Sequence, residues 1–187
     1  GLYGNGPIPM KEDQKKEILS VYGKSKLEMD NMAEKLFDKM HIVGLRYFNV
    51  FGPREAHKGR PASMIYHLSK QIKTGKKPRI FKFGEQKRDH IHVKDAVKAT
   101  ILAVNAKKSG IYNVGTGIAT TFNELIETLN EVLGTILKPE YFDMPYDPKT
   151  YQSNTQADTT NAEKFLGFKA KWNLKVGIKD YMGNLYG

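Results

Sequence analysis

Residues 21–51 constrain the fold more than any other stretch of this chain. Met29, Ala33, Leu36, Phe37 and Met40 recur at helical spacing, which predicts a helix from about Val21 to Met40 with a buried stripe. Ser20 is placed to cap its N-terminus. The run HIVGLRYFNVF follows at once, apolar and β-branched enough to be a buried strand. A helix that passes to a buried strand across a short link is an α/β signature.

The same alternation continues to the end of the sequence. Ser63 to Thr74 reads as a second helix closed by Gly75, and RIFKF as a short strand. HIHV is a strand leading into a helix from about Lys94 to Ala106, and GIYNVGTG is a strand that ends in glycines. TTFNELIETLNEVLG opens with a capping box, Thr121 with Glu124, and closes on Gly134. EYFDMP reads as a strand, and TNAEKFLG as a second box built on Thr160 and Glu163. Leu174, Ile178, Tyr181 and Leu185 mark a last amphipathic helix.

Composition narrows the function classes. At 187 residues the chain can build a genuine core. It has no cysteine, which excludes a disulfide framework or a cysteine-based metal site and suits a reducing cytoplasm. No apolar run is long enough to span a bilayer, so no membrane partner is expected, and no secretory leader is seen. The opening GLYGNGP reads as the middle of a longer protein. The net charge of +10 favours anionic partners, but the lysines are scattered in pairs, and a lysine-rich surface is the ordinary explanation.

VYGKSK puts Tyr22 and Lys26 four residues apart, on one helix face and one turn from each other. A lysine ammonium there favours phenolate over phenol. Such a pair can take a proton from a substrate hydroxyl while hydride leaves the same carbon. Taken alone, Tyr-x-x-x-Lys is more often a packed ring and a solvated lysine.

The pair has company. YGKSK on a helix, the strand LRYFNVFGP, RDHIHVKDAVKA and GIYNVGTG resemble, in order, stretches of the extended short-chain dehydrogenase/reductase superfamily. Within it, RYFNVFGPREAHKG and YQSNTQADTTNAEKFLGF are similar to the ADP-glyceromanno-heptose 6-epimerase family. The likeness covers nearly the whole chain, but only the C-terminal part of such an enzyme. It implies an α/β fold: the C-terminal part of an NADP-binding Rossmann domain plus a smaller mixed α/β substrate-binding lobe. Residues 1–54 would belong to the cofactor domain and 55–187 mainly to the lobe, with segments near 89–117 returning to the cofactor domain.

The resemblance also implies roles. NADP would oxidise C6 of an ADP-heptose to a ketone and return hydride to the opposite face, in synthesis of a lipopolysaccharide inner-core precursor. Two proton carriers are then needed. Tyr22 is the first, and Lys58 of HKG, beside Gly59 in a tight turn, is the second. Lys26 holds the nicotinamide ribose, Val50 meets the cofactor by its backbone, and Tyr22 and Lys58 also border it. Substrate contacts fall to Asn49, Arg60, His67, Phe81, Arg88 and Tyr151, with the Arg88 guanidinium suited to a diphosphate. Without the family, His67 reads as a core-facing histidine and Arg88 as a surface ion pair with Asp89. His90 and His92 face one way on their strand and are expected to pack rather than bind metal.

Some features depart from the family pattern. No Gly-rich strand–turn–helix fingerprint precedes Tyr22, so the chain by itself is expected to be inactive. Arg60-Pro61 stands where the pattern has a small residue and methionine. Another nucleotide-sugar 4-epimerase or dehydratase of the same superfamily remains open. So does a basic non-catalytic nucleic-acid-binding module, although no basic–aromatic motif of that type occurs and no nucleic acid is expected. Members of the family form oligomers, so a homo-oligomer is expected of the full-length form.

Overall fold

A computed structural model describes residues 1–145 and 147–187. Helix α1 spans Val21–Glu34, and the Ser20 hydroxyl accepts the Gly23 N–H to start it. It stops short of Met40, and the expected buried stripe does not form. Only Gly23 is buried on α1, while Met29, Leu36 and Met40 are 59%, 38% and 56% exposed. Helical spacing shows which side chains share a face, but burial needs an element to cover that face, and none of the described elements does so here.

The apolar run expected to form one strand divides at Phe48. Its first part, β1 (Val43–Tyr47), pairs parallel with β5 (Gly110–Val114), from Val43 opposite Gly110 to Tyr47 opposite Val114. Its second part, β2 (Asn49–Phe51), pairs parallel with β4 (Lys87–His92), Asn49 lying opposite His90. The Phe48 N–H donates to the Val114 carbonyl at 2.9 Å, which bridges the two pairings. β1 is half-buried rather than buried, with Arg46 in its middle. A short β6 (Ala119–Thr121), not anticipated, runs antiparallel to β4. β3 (Arg79–Phe81) pairs parallel with β7 (Glu140–Phe142).

Local helix signals fare better. Ser63 caps α2 (Met64–Lys73), and Gly75 follows at φ +72°. The Thr121–Glu124 capping box forms on α4 (Phe122–Leu133), and Gly134 takes the left-handed conformation that ends it. α5 spans Leu174–Tyr186 with Ile178 and Tyr181 buried. α3 (Val93–Ala103) starts from His92 and ends before Ala106. The second capping box is absent. Asp158 accepts the Thr160 N–H at 2.9 Å, as aspartate does ahead of a turn, and Ala162–Leu166 forms a single wide helical turn.

Two cores result. One gathers Phe51, Ile65, Leu68, Leu125, Leu129 and Ile178 between α2, α4 and α5. The other gathers Ile91, Tyr112, Val114, Ala162, Leu166 and Phe168 beside α3 and β5.

Candidate functional site

A cavity of about 470 Å³ opens beside α1 and β1. Tyr22, Lys26 and Asp30 line it from α1, Arg46 from β1, Asn49 from the start of β2, and Arg88 from β4. Tyr22 is 66% exposed, and the Lys26 ammonium lies 5.2 Å from the centroid of its ring. The i, i+4 spacing thus sets the ammonium beside the Tyr22 ring. Asn49 receives the Thr155 hydroxyl on its carbonyl at 3.2 Å.

Arg88 is not in a surface pair with Asp89. Arg88 is half-buried, and its guanidinium donates to the carbonyls of Lys87, Gln152 and Ser153 and to the Tyr151 hydroxyl at 2.7–3.0 Å. Burial pulls its pKa down and the Tyr151 oxygen opposes this. Tyr151 in turn stands edge-on to Phe81, ring centroids 5.7 Å apart. Phe81, Arg88 and Tyr151 therefore form one cluster, with Arg88 also reaching the cavity. A diphosphate bound by Arg88 would compete with these acceptors.

Asp89 faces elsewhere. Its carboxylate accepts the N–H groups of Thr116, Gly117 and Ala157 and the Thr116 hydroxyl. Burial pushes its carboxyl above the usual range against those bonds. The glycine turn after β5, which could suggest a phosphate cradle, instead holds this carboxylate of its own chain.

The loop after β2 carries Lys58 on an exposed turn, Ala56–Lys58, and Lys58 is not among the residues lining the cavity. The turn is built locally. His57 Nδ1 bonds the Arg54 carbonyl at 2.8 Å, Arg54 sits at φ +71°, and Gly59 takes φ +61° with open space around it. His67 Nε2 meets the Arg60 carbonyl at 3.2 Å, so His67 is half-buried against this loop rather than set in the core. Val50 pairs with Ile91 across β4 and its side chain packs on the second core.

Two anchoring groups escaped sequence reasoning, the Glu55 carboxylate and the Arg46–Asp30 pair. Glu55, 4% exposed, accepts the Ser63 N–H at 2.7 Å and the Ser63 hydroxyl at 2.6 Å, closing the Lys58 loop. Arg46 pairs with Asp30 at 2.8 Å and donates to the Tyr3 hydroxyl at 2.7 Å. The available signals were a charge inside an apolar strand and an aspartate one turn beyond Lys26, each of which needs a partner when buried. His90 and His92 pack edge-on against Phe51, and His92 also stacks on Trp172. Among the described residues no group of three or more His, Asp or Glu is arranged to hold a metal.

The sequence of residues 1–115 matches the model of the NAD dependent epimerase/dehydratase family. The chain belongs to that family. It is 42% identical over 188 residues to an ADP-L-glycero-D-manno-heptose-6-epimerase of Brachyspira hyodysenteriae, covering 96% of this chain and 59% of the relative. The crystal structure of the Helicobacter pylori ADP-L-glycero-D-manno-heptose-6-epimerase superposes with a TM-score of 0.91 at 37% identity, over 100% of this chain and 57% of that one. A UDP-N-acetylglucosamine 4-epimerase from Methanobrevibacter ruminantium, in complex with UDP-N-acetylmuramic acid, follows at 0.89 and 30%, over 98% and 59%. The chain thus spans about three-fifths of the length of the relatives it matches. This family membership agrees with the α/β fold and its parallel strand pairs. No described helix is long and apolar enough to cross a membrane.

Proposed function

We propose that the complete protein containing this chain epimerises ADP-glycero-manno-heptose at C6, by NADP-dependent oxidation to a 6-ketone and reduction on the opposite face. The observation that carries this reading is the Tyr22–Lys26 pair on the wall of a cavity shared with Asn49 and Arg88, in a chain 42% identical to an enzyme of that name. Residues 1–54, with segments near 89–117, form part of the cofactor domain in this reading, and the remainder forms most of the substrate lobe. The complete enzyme works in the cytoplasm as a homo-oligomer. The absence of cysteine and the exposed apolar side chains of Met32 on α1 and of Met40 beyond its end support those two points.

The donor set beside the cavity suits a nicotinamide ribose and a substrate hydroxyl: a phenol and an ammonium one helical turn apart. The cofactor, when bound, accepts and returns hydride. Tyr22 takes the proton of the C6 hydroxyl in one epimer, and Lys26 holds the ribose and stabilises the phenolate. Lys58 serves the hydroxyl of the other epimer. It belongs to the loop that leaves the carboxyl end of β2, the end of a parallel sheet where α/β proteins bind ligands. Val50 lies on the way to that loop, and its backbone meets the cofactor. Asn49 contacts the sugar, Arg60 and His67 join it from the loop, and Phe81, Arg88 and Tyr151 take the nucleotide.

The test is the complete protein with NADP and ADP-heptose, the C6 epimers being resolved by NMR. Lys58→Ala should lower kcat by about 100-fold or more, as loss of a general base does. Full activity of that variant would remove the second-base assignment. Turnover of a 4-epimer pair instead would move the protein to the 4-epimerases, which share its fold at a TM-score of 0.89. Tight binding of NADP by residues 1–187 alone would contradict the division of the cofactor site.

A further inference from the structure

Tyr22, Lys26 and Asp30 follow one another at intervals of four on α1, so they share one face, and all three line the cavity. Lys26 therefore has two neighbours within reach of its flexible stem. Tyr22 lies one turn before it and Asp30 one turn after. A carboxylate four residues beyond a lysine forms an ion pair with it on a helix surface. In this structure Lys26 makes no such pair. Its ammonium lies 5.2 Å from the centroid of the Tyr22 ring and 3.6 Å from the Met29 sulfur.

The Asp30 carboxylate is occupied instead by Arg46. Nε and Nη2 of Arg46 both reach Asp30 Oδ2, at 2.9 and 2.8 Å, and the two side chains are 9% and 14% exposed. A charge-assisted pair at that burial is little screened by salt. Arg46 is fixed in its turn, for Nη1 donates to the Tyr3 hydroxyl at 2.7 Å and to the Glu12 carbonyl at 3.1 Å. The Tyr3 hydroxyl in turn donates to Asn113 Oδ1 at 2.5 Å. Other charges face this region. Lys16 and Asp13 approach from the N-terminal segment, Glu34 from α1, Arg88 and the Gly1 amino group from the cavity wall. Lys16 is committed to the carbonyls of Glu12 and Gln14, which leaves Arg46 as the cation seated on Asp30.

We propose that Arg46 is a positioning residue that acts through Asp30: by occupying this carboxylate it keeps Lys26 from pairing with it and leaves the ammonium to Tyr22. The inference rests on the reading of Tyr22 as the acid–base group. It adds a requirement that reading lacks, namely a mask on the one carboxylate that competes for Lys26 along the same helix face.

The test uses three variants of the complete protein: Arg46→Gln, Arg46→Gln with Asp30→Asn, and Arg46→Lys. In Arg46→Gln the freed carboxylate draws Lys26 away from Tyr22. At neutral pH kcat should fall about tenfold, with the acid limb of the kcat–pH profile moved up by about one unit and KM for the nucleotide sugar little changed. Adding Asp30→Asn removes the competitor and should bring the limb back. A double variant as displaced as the single one would overturn the proposal, because a merely structural role predicts no such rescue. If Arg46→Gln does not fold, the other two variants decide, since neither leaves a free carboxylate. Both should keep the wild-type limb, and a displaced limb in either would count against the mask. A crystal structure of the single variant, or of Arg46→Ala if that is the one that folds, gives a readout without turnover. The Lys26 ammonium should lie within about 4 Å of Asp30, and its persistence over Tyr22 would refute the idea. If the wild-type protein epimerises nothing, the reaction assignment fails while this structural comparison still decides the proposal.

Discussion

Glu55 offers a sharp perturbation because its carboxylate closes the loop that carries Lys58. Both oxygens are used. One accepts the Ser63 N–H at 2.7 Å, and the other the Ser63 hydroxyl at 2.6 Å, in a position where Glu55 is only 4% exposed. The same Ser63 oxygen accepts the Tyr66 N–H at 3.2 Å as the cap of α2, so the carboxylate also orients a cap. Glu55→Gln keeps one acceptor oxygen and turns an NH2 group toward the second donor. The net loss is one charge-assisted bond and one poorly matched buried N–H, about 2 kcal/mol. If that loss falls on local opening of residues 55–63, the open population rises about thirtyfold. Trypsin reads this directly at the Lys58–Gly59 bond, because cleavage follows the open fraction when reclosing is faster than cutting. Mass spectrometry of limited digests of the complete protein should show that bond cut about thirtyfold faster in the variant. An unchanged rate at Lys58 would mean that the loop is held by something other than Glu55, and the anchoring argument would fail.

Two further expectations concern pH and stability. The Thr121 bonds hold the Glu124 carboxyl below its ordinary value of 4.5. The capping contribution is therefore present above that pH and lost as pH falls through the lower folded value. Thr121→Ala should cost about 1 kcal/mol at pH 7. The Tm deficit of Glu124→Gln should shrink as pH falls below 4.5 and close once the folded carboxylate is protonated. Burial drives the His90 imidazole from 6.5 down to about 3, with the Arg88 cation adding to the effect. Between those values the unfolded chain binds a proton that the folded chain refuses, so stability should rise with pH across that window. His90→Phe, which keeps a ring edge-on to Phe51, should flatten this part of the Tm–pH curve, and an unaltered slope would assign it to other groups.

How much of this could be read from the residues depends on how local the cause is. Caps act within one helical turn, so Ser20, Ser63, Thr121 and Gly134 announced helix ends that the structure keeps. Thr160 with Glu163 carries the same signal and misleads, because Asp158 reaches the Thr160 N–H first. Met29, Leu36 and Met40 repeat correctly yet lie exposed, since periodicity reports a shared face and says nothing about what covers it. The surface pair with Asp89 that Arg88 suggests without the family does not form, because the segment that covers it, residues 151–153, lies more than sixty positions along the chain. The Tyr22–Lys26 pair was legible from spacing. Lys58 is singled out only through resemblance, for an exposed lysine on a short turn carries no physical mark of a role.

The split run at Phe48 explains why so many site residues come from so short a stretch. Residues 43–47 pair with β5 and residues 49–51 with β4, so one length of backbone is fixed from two sides. Each side chain along it is then committed differently. Arg46 turns to Asp30 on α1, Asn49 borders the cavity, Phe51 enters the core with α5, and Glu55 fastens the loop beyond. A shift of one residue in either pairing would exchange the faces of the strand and take Arg46 from Asp30. Such a shift is opposed from both ends, by the Phe48–Val114 bond at the division and by Phe51 sealed in the core at 2% exposure. The relative placement of the Tyr22 helix and the Lys58 loop thus rests on strand register in one segment of backbone. Substitutions at Phe48 or Phe51 should therefore disturb the proposed chemistry without touching any group that performs it.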